Sequence, residues 1–152
     1  MKQDIITLHP IGFVRNGIKQ TPKKPDWQLE TASEIIIDTK WTEGLEGLEG
    51  FSHIIVLFWF DRLDREEVLM KVHPMHREDL PATGLFATRT PNRPNRLGET
   101  AVRLLERQAN VLKVKGLDAL DGTPVLDIKP YLLGGDLIPA ATEPPWAKET
   151  HG

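Results

Sequence analysis

Alternating and continuous runs of apolar residues predict strands along most of the chain, and no segment shows the repeat of a long amphipathic helix. The predicted strands are nine short segments: 5–8, 12–14, 34–38, 52–60, 67–72, 84–88, 99–105, 111–117 and 124–128. Gly, Pro, Asn and Asp separate them at frequent intervals, which favours an antiparallel barrel or sandwich over alternating βαβ units. We therefore expect a mainly all-β fold: a compact antiparallel β-barrel with long loops, at most short helices and no Rossmann fold.

Three segments refine this picture. Residues 52–60 are apolar at nearly every position, which is typical of a strand buried on both faces, in the middle of the sheet or under a partner subunit. Residues 41–48 contain two glycines and predict at best a short helix or turn. The polar, proline-rich segment 138–152 is expected to be an extended strap whose Trp146 docks on the barrel or on a second subunit. The predicted organisation is a barrel domain at 1–137 followed by a tail at 138–152.

Length and composition exclude several classes of protein. A chain of 152 residues fits one ordinary domain, and the absence of cysteine rules out disulfides, a thiolate nucleophile and a Cys-rich zinc site. The N-terminus has no long apolar stretch and the longest apolar run, 54–60, is too short to cross a bilayer, so we expect a cytoplasmic protein without membrane contact. A net charge of −3 argues against binding nucleic acid by bulk electrostatics. Any RNA contact must use a local patch.

Such a patch is predicted at residues 88–98, here called the arginine loop, which contains three arginines, two asparagines, two prolines and no acid. Each proline restricts the residue before it, so Thr90 and Arg93 are held away from helix. Guanidinium groups grip carboxylates or phosphates in pairs of hydrogen bonds, and asparagine can pair with the edge of adenine. A nucleotide or its phosphates is the natural ligand, and the alternative is a solvated turn whose arginines pair with surface acids.

Two other segments are weaker candidates. Asp121 and Gly122 lie between two predicted strands, where Asp-Gly is first of all a hairpin turn. The basic N-terminal loop, which carries Arg15, Lys19 and the pair 23–24, could attract a phosphate backbone.

Metal and hydrolase sites find little support. His73 and His76 lie three apart with a proline between them, near Asp79, and lack the helical face of an HExxH site. His53 is interpreted as a hydrogen-bonded residue at the start of a buried strand. Neither a GxSxG elbow nor a phosphate-binding GxxxxGK[ST] loop is present. No metal is expected.

Four ordered segments together resemble the TsaA-like (YaeB/TrmO) family: 10–12, 45–53, 84–98 and 120–131. The resemblance covers roughly residues 8 to 135. It implies a compact β-barrel, usually a homodimer, that binds S-adenosylmethionine without a Rossmann fold. It also implies methylation of the N6 atom of threonylcarbamoyladenosine next to the anticodon of tRNA.

The resemblance places the cofactor contacts by position. They would be Pro22, Lys23, Lys24, Asp61, Arg62, Arg89, Glu99, Asp121, Gly122, Thr123 and Pro124. The chain departs from the family at three points: the family commonly has Pro-Arg-Gln at 22–24, His at 61 and Pro-Ile at 96–97. The last departure makes the arginine loop more cationic.

Methyl transfer from a sulfonium depends mainly on alignment of nucleophile, methyl and sulfur. A carbamoyl group acidifies the N–H of the acceptor nitrogen, and we expect the side-chain carbonyl of Asn95 to hold that N–H. Arg89 and Arg93 would grip the threonyl carboxylate or a phosphate, and Tyr131 is a second candidate for a polar contact. The remaining substrate contacts are expected at Asn92 and Arg96.

Two rival hypotheses stay open. The first is a barrel module that binds S-adenosylmethionine or RNA without chemistry. The second is a metal-dependent hydrolase built on His53, His73, His76 and Asp61, which metal content after purification would distinguish.

Overall fold

The computed structural model describes residues 4–64 and 67–150 and confirms the all-β class. Six strands form a closed barrel in the order β1-β2-β7-β6-β3-β8. They are β1 (Gly12–Arg15), β2 (Ala32–Ile37), β3 (His53–Trp59), β6 (Leu97–Gln108), β7 (Val111–Lys115) and β8 (Pro124–Pro130). Two further strands, β4 (Lys71–Val72) and β5 (Thr83–Gly84), make a separate antiparallel pair.

Helices are short, as predicted. Three one-turn α-helices are α1 (Trp27–Glu30), α2 (Leu133–Asp136) and α3 (Pro145–Lys148). Four 3-10 segments span Thr39–Leu45, Leu48–Gly50, Pro74–His76 and Leu85–Ala87. The first two confirm the short helix or turn expected at 41–48. None of the described helices has the length and apolar character needed to cross a membrane.

The core fills the barrel with alternate side chains of the strands. Its members are Val14, Ile35, Ile37, Leu45, Ile54, Val56, Phe58, Val102, Leu112, Val114, Leu117, Ala119 and Val125. Within one chain segment 52–60 is buried on one face only, because Ile55, Leu57 and Trp59 are half-buried. The alternative that a partner subunit covers the other face stays a prediction. A closed barrel has one inward face per strand, so only alternate residues of β3 reach the core.

Two glycines permit close packing of the barrel. A Cβ on Gly12 would lie 2.2 Å from the carbonyl oxygen of Ile36 on β2. A Cβ on Gly98 would lie 2.4 Å from the ring of Phe58 on β3. Neither position has room for a side chain.

Three predicted strands are wrong in whole or in part. Residues 5–8 form no strand, and Ile5 is 94% exposed. Of 67–72, only Lys71–Val72 is a strand, and in 84–88 only Gly84 belongs to β5 before the chain turns into a 3-10 segment. β-forming residues become strands only where a neighbouring strand accepts their backbone hydrogen bonds, and these segments find few such neighbours.

The chain divides into two compact units. The barrel unit comprises Met1–Asp61 and Gly98–Tyr131, and the loop unit comprises Arg62–Leu97 and Leu132–Gly152. Within the loop unit, Arg77 pairs with Asp79 and with Glu149 just after α3, at 3.4 Å in the second case. The tail expected as an extended strap at 138–152 therefore contains α3, with Trp146 half-buried. The boundary expected after residue 137 stays a prediction.

Candidate functional site

The turn that precedes β8 is fixed by the carboxylate of Asp121. Its Oδ1 accepts hydrogen bonds from the backbone N–H groups of Asn16, at 2.8 Å, and Gly17, at 2.9 Å. The backbone N–H of Asp121 in turn donates to the carbonyl of Ile18 at 2.8 Å. The loop that follows β1 is thereby tied to the turn before β8, and we call this arrangement the Asn16–Asp121 bracket.

Asn16 completes the bracket from the other side. Its Nδ2 donates to Ser33 Oγ and to the carbonyl of Ala119, both at 3.0 Å, while its Oδ1 accepts from the N–H of Ile18 at 3.0 Å. Ser33 is 1% exposed, so its hydroxyl is a buried anchor inside the barrel. Sequence reasoning missed both residues as positioning groups. The available signal was Asn-Gly directly after a strand, where asparagine commonly bonds the backbone two residues on.

The interpretation of Asp121-Gly122 as a hairpin turn is wrong. β7 pairs with β2 and β6, whereas β8 pairs with β1 and β3, so the turn joins strands that are not neighbours. Gly122 has φ +81°, a backbone conformation that favours glycine, and its N–H donates to the carbonyl of Val14 at 2.7 Å. Thr123 is 5% exposed and Pro124 begins β8. The expected cofactor turn is thus built into the barrel wall.

The carboxyl of Asp118, at the start of the same turn, has a shifted pKa. Desolvation raises the pKa of its carboxyl above the ordinary value. No cationic group contributes to the shift, so the charged carboxylate is disfavoured where it lies.

The other cofactor residues expected in the barrel unit are mostly exposed. Lys24 Nζ pairs with Glu30 at 2.5 Å, which lowers the pKa of the Glu30 carboxyl. Pro22 is half-buried and Lys23 is exposed. Asp61, after β3, and Glu99, on β6, are also exposed.

The arginine loop lies in the loop unit and is held partly by its own backbone. Arg93 Nη1 donates to the carbonyls of Thr88 and Thr90 at 3.1 and 3.2 Å. Arg96 Nη1 donates to the carbonyl of Leu63 at 3.4 Å. Arg89 is exposed and so presents its guanidinium to solvent.

The two asparagines of the loop differ. Asn95 is exposed. Asn92 Nδ2 donates to the carbonyl of Glu67 at 2.9 Å, and this bond sets the orientation of the amide. Asn92 Oδ1 is then a buried acceptor without a hydrogen-bond partner among the described residues. Buried acceptors are nearly always hydrogen-bonded, so this oxygen is a candidate contact for an N–H donor of a bound molecule.

Tyr131 belongs to a small polar group at the end of β3 and β8. Its backbone N–H donates to the carbonyl of His53 at 3.1 Å, and the two rings meet edge to face with centroids 6.4 Å apart. Ser52 Oγ and His53 Nδ1 are 2.8 Å apart. The expectation that His53 is a hydrogen-bonded residue at the start of β3 is confirmed.

A cleft of about 510 Å³ lies elsewhere on the barrel unit. It is lined by Arg15, Asn16, Ala32, Ser33, Glu34, Glu106, Gln108, Val111 and Lys113. Basic and acidic residues alternate across the neighbouring strands from β1 to β6, in the order Arg15, Glu34, Lys113 and Glu106. The positive and negative charges of the lining therefore largely balance. Asn16 and Ser33 belong both to the cleft and to the bracket, and none of the expected cofactor contacts lines the cleft.

The structure thus groups the predicted residues by unit. The bracket brings the loop after β1 and the turn 118–124 together in the barrel unit. The loop unit contains Arg62, Arg89, Asn92, Arg93, Asn95 and Arg96. Within 4–64 and 67–150, no three histidine or acidic side chains are grouped so that they could hold a metal ion.

The model of the tRNA-methyltransferase O N-terminal domain family matches residues 15–137. An S-adenosyl-L-methionine-binding protein of Archaeoglobus fulgidus is 42% identical over 127 residues, which are 82% of this chain and 88% of that protein. A tRNA (adenine(37)-N6)-methyltransferase of Mus musculus is 44% identical over 92 residues, 60% of this chain and 21% of that protein. The crystal structure of TrmO from Pseudomonas aeruginosa superposes with a TM-score of 0.75 at 32% identity and covers 95% of this chain.

Several of these relatives are longer than this chain. The match spans 63% of the Pseudomonas aeruginosa chain, and only 34% of a second Archaeoglobus fulgidus relative that is 48% identical over 130 residues. The matched segment nevertheless contains the bracket, the arginine loop and the barrel strands β2, β3, β6, β7 and β8, together with Arg15 of β1. On the family match and the shared structure, the chain belongs to the tRNA-methyltransferase O N-terminal domain family.

Proposed function

We propose that this chain binds S-adenosylmethionine and transfers its methyl group to the N6 atom of threonylcarbamoyladenosine next to the anticodon of tRNA. The observation that carries the proposal is the family match over 15–137, which includes both the Asn16–Asp121 bracket and the arginine loop. The similarity to the S-adenosyl-L-methionine-binding protein of Archaeoglobus fulgidus supports the cofactor, and the similarity to the mouse tRNA (adenine(37)-N6)-methyltransferase supports the adenine N6 of tRNA. Recognition of the threonylcarbamoyl group is the more specific part of the proposal, and it is supported by the cationic arginine loop.

The residues fit the chemistry of the cofactor. S-adenosylmethionine carries an ammonium, a carboxylate, a sulfonium and an adenine, and the last offers N–H donors. Exposed Asp61 and Glu99 suit the cationic groups, and exposed Arg89 suits the carboxylate. The buried acceptor Asn92 Oδ1 suits an N–H donor of a nucleobase.

Bound S-adenosylmethionine supplies an electrophilic methyl group on a good leaving group, so the protein contributes mainly by alignment. Asn95 accepts a hydrogen bond from the acceptor N–H and so orients the nitrogen towards the methyl. The N–H proton is released to solvent water as the nitrogen takes up the methyl group, because an amide oxygen is too weak a base to keep it. Arg89 and Arg93 hold the threonyl carboxylate or a neighbouring phosphate. Arg93 is the more preorganised of the two, because its Nη1 is already fixed to the backbone of the loop. Tyr131 is proposed as a second polar contact in the site.

We further propose that the protein acts in the cytoplasm as a homodimer. The outward row Ile55, Leu57 and Trp59 on β3 is apolar and half-buried, and a second copy would cover it further. Light scattering at micromolar protein measures the mass, and a monomer would contradict the dimer.

A barrel that binds S-adenosylmethionine without transferring methyl is the second candidate. It is favoured by the name of the Archaeoglobus fulgidus relative, which mentions binding alone. Cofactor binding with no methyl transfer to any tRNA pool would support this candidate over the first.

Calorimetry with S-adenosylmethionine tests the cofactor half of the proposal. We expect micromolar binding that Arg89→Ala weakens, while Arg103→Ala leaves it unchanged because Arg103 is an exposed arginine of β6 outside both loops. Transfer of labelled methyl to tRNA from cells that lack the modification tests the second half. The labelled nucleoside, identified by mass spectrometry, distinguishes threonylcarbamoyladenosine from unmodified adenosine.

A further inference from the structure

Phe86 is the most exposed of the phenylalanine, tyrosine and tryptophan residues, with 75% of its surface accessible. It lies in the 3-10 segment Leu85–Ala87, just before the arginine loop. Burial of a large apolar ring lowers the free energy, so an exposed ring can contribute strongly to binding a partner.

The backbone around Phe86 is well held. Leu85 is 2% exposed and anchors the segment in the loop unit. The N–H and Oγ1 of Thr88 both donate to the carbonyl of Leu85, at 3.1 and 2.7 Å. The ring is therefore carried outward by a fixed turn, which lowers the entropic cost of using it as a contact.

Arg93 supports the ring. Its guanidinium carbon lies 6.0 Å from the centroid of Phe86, within the range of a cation–π contact. The same side chain is fixed by hydrogen bonds to the carbonyls of Thr88 and Thr90. Since Phe86 remains 75% exposed, the guanidinium covers only part of the ring and leaves room for a second flat group.

The surroundings of the ring are cationic. Residues 83–98 contain three arginines and no acid. An exposed aromatic ring beside guanidinium groups is the combination that binds unpaired nucleobases, because the ring stacks on the base and the cations meet the flanking phosphates.

We propose that Phe86 is the stacking platform for an unpaired purine of the RNA acceptor, with Arg93 behind the ring and Arg89 and Arg96 along the phosphates. This inference rests on the proposed function and adds the means by which the RNA loop is held. A purine ring could also come from the adenine of S-adenosylmethionine. The cofactor carries no phosphate, however, whereas an RNA strand offers successive phosphates that Arg89 and Arg96 can meet.

Binding of a fluorescein-labelled RNA stem–loop with adenosines in its loop, followed by anisotropy, tests the platform. Phe86→Leu keeps the apolar bulk and removes the aromatic face, and we expect it to weaken RNA binding about tenfold or more. Phe86→Tyr keeps the ring and should bind within about twofold of the unchanged protein. Phe51→Leu, on a partly exposed phenylalanine of the barrel unit, is the matched control and should have no effect.

Calorimetry of the same variants with S-adenosylmethionine separates the two sources of the purine. We expect unchanged cofactor affinity in Phe86→Leu. Weakened cofactor binding together with unchanged RNA binding would assign the ring to the cofactor and overturn the proposal. A change from dimer to monomer in light scattering of Phe86→Leu would instead make Phe86 an interface residue and also overturn it.

The same measurements distinguish a failure of the Phe86 platform from a failure of the proposed methyltransferase. If the unchanged protein binds and methylates RNA and Phe86→Leu binds it equally well, the platform is wrong while the methyltransferase stands. If the unchanged protein binds S-adenosylmethionine but no RNA, both fail. Thermal unfolding of each variant, with an unchanged midpoint expected for an exposed residue, excludes misfolding as the cause.

Discussion

The Asn16–Asp121 bracket and the arginine loop carry the two halves of the expected site, and they are built in different ways. The bracket is fixed by barrel strands: Asp121, Gly122 and Asn16 bond backbone groups on β1 and beside it. The arginine loop relies on prolines and on Arg93 bonding the carbonyls of its own loop. A turn locked into a barrel suits a cofactor of constant shape, whereas a self-supporting cationic loop suits a larger anionic partner.

The largest expected effect comes from disturbing the packing of β1 against β2, on which the bracket depends. Gly12→Ala places a Cβ 2.2 Å from the carbonyl oxygen of Ile36 and forces β1 from β2. We expect a loss of about 3 kcal/mol in the free energy of unfolding, measured by urea denaturation. Gly44→Ala is the control, because nothing lies within 4 Å of its added Cβ. Equal denaturation midpoints for the two variants would contradict this account.

Asp121→Ala removes the carboxylate but keeps the barrel. Two backbone N–H groups, of Asn16 and Gly17, lose their acceptor, and we expect a loss of about 2 kcal/mol in stability. Calorimetry should show S-adenosylmethionine binding at least about tenfold weaker, since the turn is no longer held. Asp127→Ala on β8 removes only an exposed pair with Lys129 and should change stability by less than about 1 kcal/mol.

Arg93→Lys tests whether the arginine loop supports itself. Lysine keeps the charge but cannot reproduce the planar fork that bonds two carbonyls and covers the Phe86 ring. We expect methyl transfer to tRNA to fall about tenfold through a raised KM, with stability changed by about 0.5 kcal/mol or less. Arg103→Lys in the barrel unit is the control. A fall in stability comparable to that of Asp121→Ala would mean that the loop and the bracket are not independent.

The smallest effect is a pH dependence at the bracket. The pKa of Asp118 is raised in the folded protein by desolvation, so the folded state favours the protonated carboxyl. The contribution of this carboxyl to the stability of the folded protein is full below the unfolded pKa of about 3.9. It is lost as pH rises through the higher pKa of the folded state. Asp118→Asn should therefore raise the thermal midpoint slightly at pH 7 and not at pH 3. An equal rise at both pH values would assign the effect to packing instead of charge.

The sequence predicted the barrel because strand patterns and turn residues are local. All six barrel strands lie within three residues, at both ends, of a predicted segment. The segments 5–8 and 84–88 were wrong for the opposite reason. Their β-forming residues lack partners, and pairing is a property of the fold.

The candidate site divides in the same way. The sequence by itself determined the chemical character of the candidate segments, which are a cationic loop without acids and an Asp-Gly turn. The family resemblance then placed expected cofactor contacts on both. It could not show that Asn16 and Ser33 position that turn, because they lie about 100 and 90 residues away along the chain from Asp121. Only the closed barrel, by placing β1 beside β8, brings them together. Likewise, Phe86 reads as one apolar residue of a strand, and only the 3-10 turn over buried Leu85 carries its ring out to solvent.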